Sequence, residues 1–561
     1  MAALVFSAVR CSLISLLATL SLAHAAPAEQ RFDVVIYGGT AGGIISAVAA
    51  AQEGASVVVI EPTRHIGGMV TGGLGWTDIG IQQSIGGMSR DFYRRIYAHY
   101  ERPEAWKFES REEFLRRVPR MVDHADRVWW AVEPSVASQV LRQLVADAKV
   151  TVLTGQPLKA VRKSGSHIEA LTTVGGEAYR GRVFIDATYE GDLLAMAGVP
   201  FRVGRESRAE FGEELAGVVP ESWSTRKQWD VDIRPYGPDG KLLFGVQETL
   251  RGEDGSGDTK VQAYNYRICL TDAPSNRLPI GRPANYDVSR YELLALYIGK
   301  KGDAINLTGP LRGSLLKIDP MPNRKTDIND GAPFSTDYIG ANWAYPEGSP
   351  ETRERILRDH RDYTEGLLYF LGHDERVPER IRERMQRWGY PKDEFVDHGH
   401  WTPQLYIREA RRMVGAYVMT QNDIQRDRTK PDAVGMGSYN ADSHHIQRIV
   451  DRNGFVRNEG NPNDRAIGHI AYEIPYRCLT PKRNDADNLF ATFCVSASHM
   501  GFASVRMEPV FMILSESAGV AAAMAVRADV AVQDVPVQPL QDRLLIRGQR
   551  LRMDGVVRGK K

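Results

Sequence analysis

The fold is decided by residues 34–61, which read Val34-Val-Ile-Tyr37-Gly38-Gly-Thr40-Ala-Gly-Gly43-Ile-Ile-Ser-Ala-Val-Ala-Ala-Ala-Gln-Glu-Gly54-Ala-Ser-Val57-Val-Val-Ile60-Glu61. The runs Val34–Tyr37 and Val57–Ile60 are short and rich in β-branched residues, as is typical of parallel strands buried on both faces. The Ala-rich segment between them predicts a helix, which Gly54 can terminate. The pattern therefore predicts a strand–helix–strand unit of the dinucleotide-binding kind.

The turn between the first strand and the helix consists of small residues, namely Gly38, Gly39, Thr40, Ala41, Gly42 and Gly43. Glycines here let the backbone approach a pyrophosphate, which the free N–H groups and the dipole of a helix N-terminus stabilise. Glu61, at the end of the second strand, is placed to accept hydrogen bonds from a ribose hydroxyl. Thr40 stands where the G-x-G-x-x-G motif has its second glycine, so this turn alone is also compatible with ordinary α/β packing.

Three further stretches extend the cofactor prediction from the generic motif to FAD. A second glycine pair follows Glu61 and Pro62, in the order His65, Gly67, Gly68 and Met69, and resembles the second phosphate-side signature of FAD enzymes. A predicted strand ends in Asp186, Ala187 and Thr188, where two-dinucleotide-fold flavoproteins return to the sheet beside the cofactor. A strand at Leu489–Phe493 leads through a loop containing Ser498 into a predicted helix at Glu508–Arg527, with Pro509 in its first turn.

The first 26 residues differ from the rest of the chain. Arg10 precedes an apolar run, Cys11–Ala23, that is too short to span a bilayer. Ala23-His24-Ala25 fits the small-x-small pattern of a cleavage site, so residues 1–26 are predicted to be a secretory signal peptide, with an uncleaved anchor as the alternative. The protein is therefore expected to be exported, to the periplasm or the medium.

The remaining chain is predicted to be α/β, with a Rossmann-like FAD-binding domain of the two-dinucleotide-binding-fold type and an inserted α+β substrate or cap domain. The chain has 561 residues, enough for two or three domains. The FAD-binding domain is predicted at 27–200 and 404–530, the insertion at 201–403, and a C-terminal tail at 531–561. One helical tract is predicted at Pro350–Trp388, and a strand-to-helix segment at Leu405–Met413.

Charge and cysteine content limit the partners and cofactors. The formal net charge is +1, which gives no electrostatic basis for binding nucleic acid or, after signal cleavage, an anionic membrane. Cys269, Cys478 and Cys494 remain beyond the signal peptide, and no Cys-x-x-Cys occurs. An iron–sulfur cluster needs about four thiolates, so none is expected. A Cys478–Cys494 disulfide and three buried free thiols both stay open.

Six residues are candidates for catalysis: His499, His445, His444, Arg412, Arg506 and Tyr439. Histidine is the usual base near neutral pH, and His499 is the first choice because its loop is expected beside the flavin. Arg412 and Arg506 could bind an anionic substrate or stabilise charge on the flavin; pairing with Glu409 or Glu508 is the structural alternative. No metal site is predicted, because adjacent histidines point in different directions and no third ligand is evident.

The chain resembles the secreted members of the FAD_oxidored family of FAD-dependent oxidoreductases, which are related to the heterodisulfide reductase A-like group. The resemblance extends over residues 32–530 and lies in several motifs: Val35–Gly43, His65–Met69, Ile185–Asp192, Arg408–Arg412, Ser438–His445, Cys494–His499 and Arg506–Pro509. It implies FAD and redox chemistry but not a substrate. The cysteine motifs of the relatives that carry iron–sulfur clusters are absent here.

These observations predict an FAD-dependent oxidoreductase that dehydrogenates a small polar substrate by hydride transfer to flavin N5. Export and the scattered tryptophans favour a sugar or sugar derivative. FAD is expected to bind non-covalently, with attachment through His65, His499 or Cys494 as the alternative, and the electron acceptor is unknown. The alternative functions are a flavin electron-transfer subunit for a protein partner and a non-redox, lyase-type flavoprotein.

Overall fold

The computed structural model describes residues 29–248, 251–309, 314–462 and 468–554. The predicted signal peptide, residues 1–26, lies outside the described residues. The strands are β1 (Gln30–Tyr37), β2 (Val57–Ile60), β3 (Val122–Asp123), β4 (Val128–Trp129), β5 (Thr151–Leu153), β6 (Leu158–Ser164), β7 (His167–Thr173), β8 (Ala178–Asp186), β9 (Phe201–Arg202), β10 (Asn265–Tyr266), β11 (Arg277–Pro279), β12 (Leu316–Met321), β13 (Lys325–Asp330), β14 (Gly389–Pro391), β15 (Leu405–Tyr406), β16 (Arg412–Met413), β17 (Ala433–Gly437), β18 (Gln447–Val450), β19 (Val456–Glu459), β20 (Tyr472–Pro475) and β21 (Leu489–Ala491).

The α-helices of the described residues are α1 (Ala41–Gln52), α2 (Gly68–Thr71), α3 (Gly87–Tyr100), α4 (Arg111–Arg117), α5 (Pro134–Ala148), α6 (Asp192–Met196), α7 (Arg208–Phe211), α8 (Glu292–Lys301), α9 (Pro350–His373), α10 (Glu379–Gln386), α11 (Gln421–Gln425), α12 (His499–Val505), α13 (Glu508–Ala528) and α14 (Val537–Ile546). The strand–helix–strand unit predicted from residues 34–61 is confirmed as β1, α1 and β2. Gly54 follows α1 in the left-handed conformation at φ +92°, as expected for a residue that ends a helix.

A seven-stranded sheet forms the centre of the structure, within the residues that are described. Its order is β5-β2-β1-β8-β7-β6, and β21 also pairs with β8. The strands β5, β2, β1, β8 and β21 run parallel, whereas β7 and β6 form an antiparallel hairpin. One edge of β8 pairs with β1 along its whole length; β7 and β21 pair with separate parts of its other edge. A strand from the C-terminal part therefore completes a sheet begun at the N-terminus.

The central strands are buried on both faces, as their unbroken apolar sequence predicts. Val34 and Ile36 contribute to the larger core, which includes α1, α3, α5 and α13. Val35 and Tyr37 belong to a smaller core on the opposite face. Because successive side chains of a strand point to opposite faces, neither face can accept a polar residue. This explains the valine- and isoleucine-rich composition of β1 and β2.

Helix α13 packs against α1 across the larger core, and small residues allow their close contact. A Cβ at Gly42 would lie 2.5 Å from both the Phe493 ring and Ser515 Oγ. The hydroxyl of Ser46 donates a hydrogen bond of 2.8 Å to the carbonyl of Ser515. Among the described residues α13 is the one helix long and apolar enough to cross a bilayer, yet 89% of its apolar stretch is buried inside the protein. This burial identifies it as a core helix.

Two predictions of local structure are wrong. The helical tract predicted at Pro350–Trp388 is two helices, α9 and α10, which are interrupted before Glu379. Pro378 precedes α10 and cannot donate the backbone hydrogen bond that a continuous helix needs. The strand-to-helix segment predicted at Leu405–Met413 contains two short strands and no helix, because β15 pairs with β10 and β16 pairs with β9.

The inserted region has the predicted mixture of short strands and helices, but the domain boundaries stay a prediction. The strand pairs β10–β15 and β9–β16 cross the predicted boundary at 403/404. In the predicted C-terminal tail, α14 buries Leu540 and Leu544, and Arg543 Nε lies 2.8 Å from Glu53 Oε1. The described part of the tail therefore packs on the FAD-binding domain.

The sequence left open either a Cys478–Cys494 disulfide or three free thiols, and the structure contains free thiols. Cys269, Cys478 and Cys494 are buried and unpaired in the described part of the chain. Burial raises the pKa of each thiol above its ordinary value. All three are therefore inert core residues.

The first residue of α13 connects the N-terminal and C-terminal parts of the fold. Glu508 is buried, and its Oε1 accepts a 2.6 Å hydrogen bond from the Tyr189 hydroxyl. That hydroxyl in turn accepts a 2.9 Å hydrogen bond from the backbone N–H of Met69. Burial raises the pKa of Glu508 to about 7, an effect that the Tyr189 hydrogen bond only partly offsets.

The close contact at the first turn can be tested by adding one methyl group. A Cβ at Gly43 would overlap the carbonyl oxygen of Gly38. We expect Gly43→Ala to destabilise the protein by more than about 2 kcal/mol and to lower its thermal unfolding midpoint and its FAD content. Gly299 lies exposed in α8 with open space around it, so Gly299→Ala should be neutral or stabilising by up to about 1 kcal/mol. An equal effect of the two substitutions would contradict the packing argument.

The raised pKa of Glu508 predicts a stability loss as pH rises. The folded protein keeps the proton up to about pH 7, whereas a solvated glutamic acid has a pKa near 4.5. The associated stability is fully present below pH 4.5 and is lost between pH 4.5 and 7, by about 3 kcal/mol. Glu508→Gln should therefore raise the thermal midpoint relative to wild type more at pH 8 than at pH 5.

Glu351 provides the control, since it is exposed in the first turn of α9. Glu351→Gln should show no pH-dependent gain of this kind. If Glu508→Gln shifts the thermal midpoint equally at pH 5 and pH 8, Glu508 keeps the same charge in the folded and unfolded protein.

Candidate functional site

The predicted pyrophosphate turn lies where the carboxyl ends of β1, β2 and β8 meet. Gly38 has φ +106°, and a Cβ there would lie 2.7 Å from the backbone carbon of Ala187. The N–H groups of Ala41 and Gly42 lie in the first turn of α1, where an intrahelical acceptor is lacking. These donors and the tight turn suit an anionic group at the N-terminus of α1.

Thr40 has a structural reason to replace the second glycine of the motif. It is the N-cap of α1, and its Oγ1 accepts a 3.0 Å hydrogen bond from the N–H of Gly43. The same hydroxyl donates a 2.8 Å hydrogen bond to the carbonyl of Ala187. Thr40 therefore joins α1 to the end of β8 as a regular helix cap.

Glu61 lies beside this turn, as the prediction requires. Its Oε2 accepts a 2.6 Å hydrogen bond from Gly39 N–H, and its Oε1 accepts two from Thr63. Burial raises the pKa of Glu61, although the Thr63 and Gly39 hydrogen bonds oppose it. Since Oε2 accepts one hydrogen bond here, it can accept a second from a ribose hydroxyl. Pro62 continues the chain into the next turn.

The second glycine pair is hydrogen-bonded directly to the first turn. The N–H of Gly67 donates to the carbonyl of Gly39 at 2.7 Å. Gly67 and Gly68 both have positive φ, +100° and +56°, and the Tyr189 hydroxyl fills the space where Gly68 would carry a Cβ. Met69 follows in α2 and is fully buried. The two glycine turns therefore form one continuous backbone surface.

His65 stabilises the second turn. Its Nε2 lies 3.1 Å from the Gly68 carbonyl and 2.9 Å from Thr71 Oγ1. Burial lowers the pKa of His65 to about 4, so the ring is neutral at physiological pH.

The turn after β8 is organised by Asp186, whose carboxylate accepts hydrogen bonds from Thr188 and from the N–H of Leu194. Burial raises its pKa to about 6. Ala187 lies against Gly38 and Thr40, as described above. Ser498 differs from these residues, because its hydroxyl caps α12 and donates to Glu213 Oε1 at 2.5 Å. A role for Ser498 in cofactor binding stays a prediction.

These residues fit an FAD cofactor. Two glycine turns that a Cβ would obstruct, free N–H donors at the start of α1, and an acid at the end of β2 match a pyrophosphate and its ribose. When bound, the flavin would supply the electron-accepting chemistry that none of the protein's own side chains offers.

His499 is held by a carboxylate on one side and a hydroxyl on the other. Its Nδ1 lies 2.8 Å from Glu409 Oε2, and its Nε2 lies 3.2 Å from Ser443 Oγ. A nitrogen that faces a carboxylate carries the proton, so in the neutral ring Nε2 is the acceptor. Burial would raise the pKa of Glu409, but His499 and Arg412 hold it below its ordinary value. His499 therefore has the geometry of an oriented base.

Arg412 forms ion pairs with acids of the protein, which was the structural alternative to binding an anionic substrate. It is fully buried, with Nη1 2.8 Å from Glu206 Oε1 and Nε 2.9 Å from Glu409 Oε1. The predicted pairing with Glu409 is present. The guanidinium stabilises the acid that orients His499, which makes Arg412 a positioning residue.

His444 lies between two carboxylates. Its Nδ1 is 2.5 Å from Asp337 Oδ2, and its Nε2 is 3.4 Å from Asp442 Oδ2. Burial would raise the pKa of both acids, but His444 together with Arg408 or Arg506 holds them below their ordinary values. A carboxylate therefore faces each ring nitrogen of His444.

Arg506 pairs with Asp442 rather than with Glu508. Its Nη2 lies 3.0 Å from Asp442 Oδ2, and its Nη1 donates to the Tyr406 hydroxyl at 2.8 Å. The prediction of a Glu508 partner is wrong, because Glu508 accepts from Tyr189 instead.

His445 and Tyr439 have separate environments. The two adjacent histidines diverge as expected: His445 is buried, and burial lowers its pKa to about 3. Its Nε2 has no hydrogen-bond partner among the described residues. Tyr439 donates a 2.8 Å hydrogen bond to Asp78 Oδ1 and stacks on His469. Through Asp78, Tyr439 reaches the loop that follows the second glycine turn.

Asp337, Ser443 and Gln262 contact the histidines but were not predicted as site residues, and Glu409 was predicted only as a partner of an arginine. Gln262 lies between the two histidines: its Nε2 donates to Glu409 Oε2, and its Oε1 accepts from the backbone N–H of His444. Ser443 stands within the histidine motif and could have been found there. Asp337 and Gln262 come from the inserted region without any motif, so the sequence offers no signal for them.

One group of side chains has the spacing of a metal site. Asp330, Asp337 and His444 offer ligand atoms within 4.8 Å of one another. However, Lys227 Nζ lies 2.6 Å from Asp330 and Arg408 Nη2 lies 3.0 Å from Asp337. These cations already neutralise both acids, so the group is poorly suited to a metal ion.

Comparisons with solved structures return fragmentary similarities to flavoproteins. An L-amino acid deaminase from Proteus vulgaris matches at 16% identity and TM-score 0.23, over 33% of this chain and 54% of that one. A bacillithiol disulfide reductase from Staphylococcus aureus matches at 15% and 0.18, over 28% and 38%. An anhydrotetracycline hydroxylase from Streptomyces rimosus matches at 14% and 0.21, over 36% and 42%. At these TM-scores the similarities support no activity or substrate for this chain.

No curated protein matches the sequence. The sequence profile of the FAD dependent oxidoreductase family, FAD_oxidored, matches residues 33–544. That range includes both glycine turns, the turn after β8, the loop that carries His444 and His445, and His499, which was expected in a loop but is the first residue of α12. The chain belongs to the FAD_oxidored family of FAD dependent oxidoreductases.

Proposed function

We propose that this FAD-dependent oxidoreductase dehydrogenates a small polar substrate, with His499 as the base that takes a proton from the substrate. A sugar or sugar derivative is the leading candidate. One observation carries the proposal: Glu409 holds Nδ1 of His499 and the Ser443 hydroxyl faces its Nε2, while Gln262 connects Glu409 to the backbone N–H of His444, whose ring lies between Asp337 and Asp442. This places an oriented base beside a second histidine that is held by two carboxylates, and both rings are buried.

His499 is suited to accept a proton at Nε2. Glu409 fixes the protonated Nδ1 and stabilises the imidazolium that forms, while Ser443 presents a hydroxyl to Nε2. Either a substrate hydroxyl replaces that of Ser443, or Ser443 passes the proton on. The bound flavin would accept the hydride at N5, which completes a two-electron oxidation of the substrate.

Asp442 provides a fixed acceptor near the base. It is held by His444 and Arg506 and lies in the loop that also carries Ser443. Because its pKa is lowered well below the ordinary value, it stays ionised and can accept a hydrogen bond from a substrate hydroxyl. We assign it an orienting role, together with Tyr439.

We propose non-covalent FAD. Of the three possible attachment residues, Cys494 is a buried thiol with a strongly raised pKa and is a poor nucleophile. Both ring nitrogens of His499 face protein partners, as does Nε2 of His65.

We also propose that no iron–sulfur cluster is present, since residues 27–561 contain three cysteines, all free and buried. Yellow colour released by acid precipitation, with no bound iron, would agree with both proposals.

Substitutions at the base test the mechanism. We expect His499→Asn to slow flavin reduction by substrate at least about a hundredfold, because general-base catalysis contributes on the order of 10² to 10⁴. Glu409→Gln should slow it as well and move the pH dependence of the rate. The measurement is stopped-flow bleaching of FAD-loaded enzyme under anaerobic conditions.

His373→Asn serves as the control, since His373 is exposed at the end of α9. It should leave the reduction rate unchanged. A His499→Asn enzyme that binds FAD and is reduced at the wild-type rate would rule out His499 as the base.

The substrate assay also separates dehydrogenation from the alternatives. A panel of sugars, amino acids and hydroxy acids is mixed anaerobically with the holoenzyme, and flavin bleaching is followed. Reduction by one of these compounds supports a dehydrogenase. A flavin reduced only by a partner protein indicates an electron-transfer subunit, and turnover without any flavin reduction indicates a lyase.

We further propose export to the periplasm or the medium, with a small-molecule substrate and an unidentified electron acceptor there, and with neither nucleic acid nor membrane as a partner after cleavage. The support is the signal-peptide pattern of residues 1–26. Mass spectrometry of the exported protein should give an N-terminus directly after Ala25 or Ala26. Full-length protein that keeps residues 1–26 in the cell membrane would favour the uncleaved anchor.

A further inference from the structure

Most of the cations around the histidine network are paired with acids. Five basic side chains there, within the described residues, lie within 3.0 Å of a carboxylate; the pairs are Arg267–Asp327, Arg408–Asp337, Arg412–Glu206, Arg506–Asp442 and Lys227–Asp330. Each of these basic residues is buried except Lys227, whose side chain is only 6% exposed. Fixed pairs of this kind leave little positive charge for a further anion.

The pair formed by Arg267 and Asp327 shows how closely a cation and its acid are held together. Arg267 holds Asp327 through two hydrogen bonds, of 2.7 and 2.6 Å, and the N–H of Trp76 donates to the same carboxylate. Arg226, at the more exposed side, lies 3.8 Å from Asp442. A substrate carboxylate would have to displace a buried protein carboxylate, which would then lose its partner.

Arg448 is the exception, because its partners are neutral. Its guanidinium lies over the rings of Trp229 and Phe334 and donates to Asn458 and to the carbonyl of Pro333. Burial lowers its pKa to about 10. Enclosed by two aromatic rings, it presents no open face to a substrate anion.

The unpartnered polar atoms of the same region are suited to hydroxyl groups. They include Asn265 Oδ1, Asn342 Oδ1, His445 Nε2, Arg408 Nε and Arg506 Nε, which have no hydrogen-bond partner in the described structure. Asp337 Oδ1, Glu409 Oε1 and Arg412 Nε also lack a hydrogen bond, but each lies in an ion pair. A hydroxyl can donate to the two amide oxygens and accept from the two guanidinium N–H groups, and it can pair with His445 Nε2 in either tautomer. A carboxylate can only accept, and it brings a charge that the site does not balance.

We infer that the substrate of this enzyme is a neutral, hydroxyl-bearing molecule, and that amino acids and hydroxy acids are excluded by the pairing of the site's cations with its own carboxylates. The inference rests on the proposed dehydrogenase function and on that same site. The inference adds to the proposed function that the substrate carries no charge, a property that membership of the family does not specify.

The first test compares matched substrates on the wild-type holoenzyme. Glucose is compared with glucuronate, and glycerol with glycerate, in anaerobic flavin reduction. We expect a neutral compound to reduce the flavin at least tenfold faster than its acid counterpart. Equal or faster reduction by the acid overturns the inference while leaving the dehydrogenase proposal intact.

The second test does not require turnover. Acetate is titrated into wild-type holoenzyme and into Asp442→Asn, in which Arg506 has lost its carboxylate partner, and the flavin absorption spectrum is recorded. We expect a saturable change in Asp442→Asn and none in wild type. Asp432→Asn, which breaks a partly exposed pair with Arg477, is the control and should behave as wild type.

Each outcome decides one of the two proposals. Saturable acetate binding by wild type overturns the inference, whether or not Asp442→Asn folds. If no compound of the pairs or of the wider panel reduces the flavin, the dehydrogenase proposal fails. In that case an acetate-insensitive wild type still supports a site without a free cation.

Discussion

The close approach of backbone to backbone at the first turn is the constraint on which the rest of the structure depends. Gly38 lies against Ala187, and Gly43 lies against Gly38, at distances that leave no room for a Cβ. Thr40 secures this arrangement by capping α1 and donating to Ala187. The second glycine turn is then hydrogen-bonded to the first through Gly67 and Gly39. The surface offered to FAD is therefore built from backbone, and few side chains decide it.

The C-terminal part of the chain completes the central sheet and the larger core, which the N-terminal part begins. Strand β21 pairs with β8, and α13 packs on α1. The loop before α12 brings His499 to Glu409, and the loop after β17 brings Ser443 and His444 to the same region. The inserted region closes the site with Asp337 and Gln262. Chemistry in this enzyme is thus proposed where three distant parts of the chain meet.

Several charged side chains are buried where these three parts of the chain meet, and each is stabilised by a partner of opposite charge. Removing one partner of a buried pair costs about 3–5 kcal/mol, because the other charge is then left uncompensated. Arg412, with two acids, and Asp442, between His444 and Arg506, are held by this rule. The same rule limits what a substrate can bring into the site, since each added charge needs a partner.

The FAD-binding fold could be predicted from local patterns in the sequence, because the first glycine turn, the second glycine pair and the strand that ends in Asp186 together favour FAD. The first turn alone was also compatible with ordinary α/β packing. The sequence also made His499 and His444 candidates, since both lie in recognisable motifs; His499 begins α12 and His444 lies in the loop after β17. Only the tertiary structure decided their partners. Glu409 and Asp337 come to the histidines across 90 and 107 residues of sequence, and no local pattern encodes such contacts. The absence of a helix at Leu405–Met413 has the same origin, because pairing with β9 and β10 outweighs local propensity.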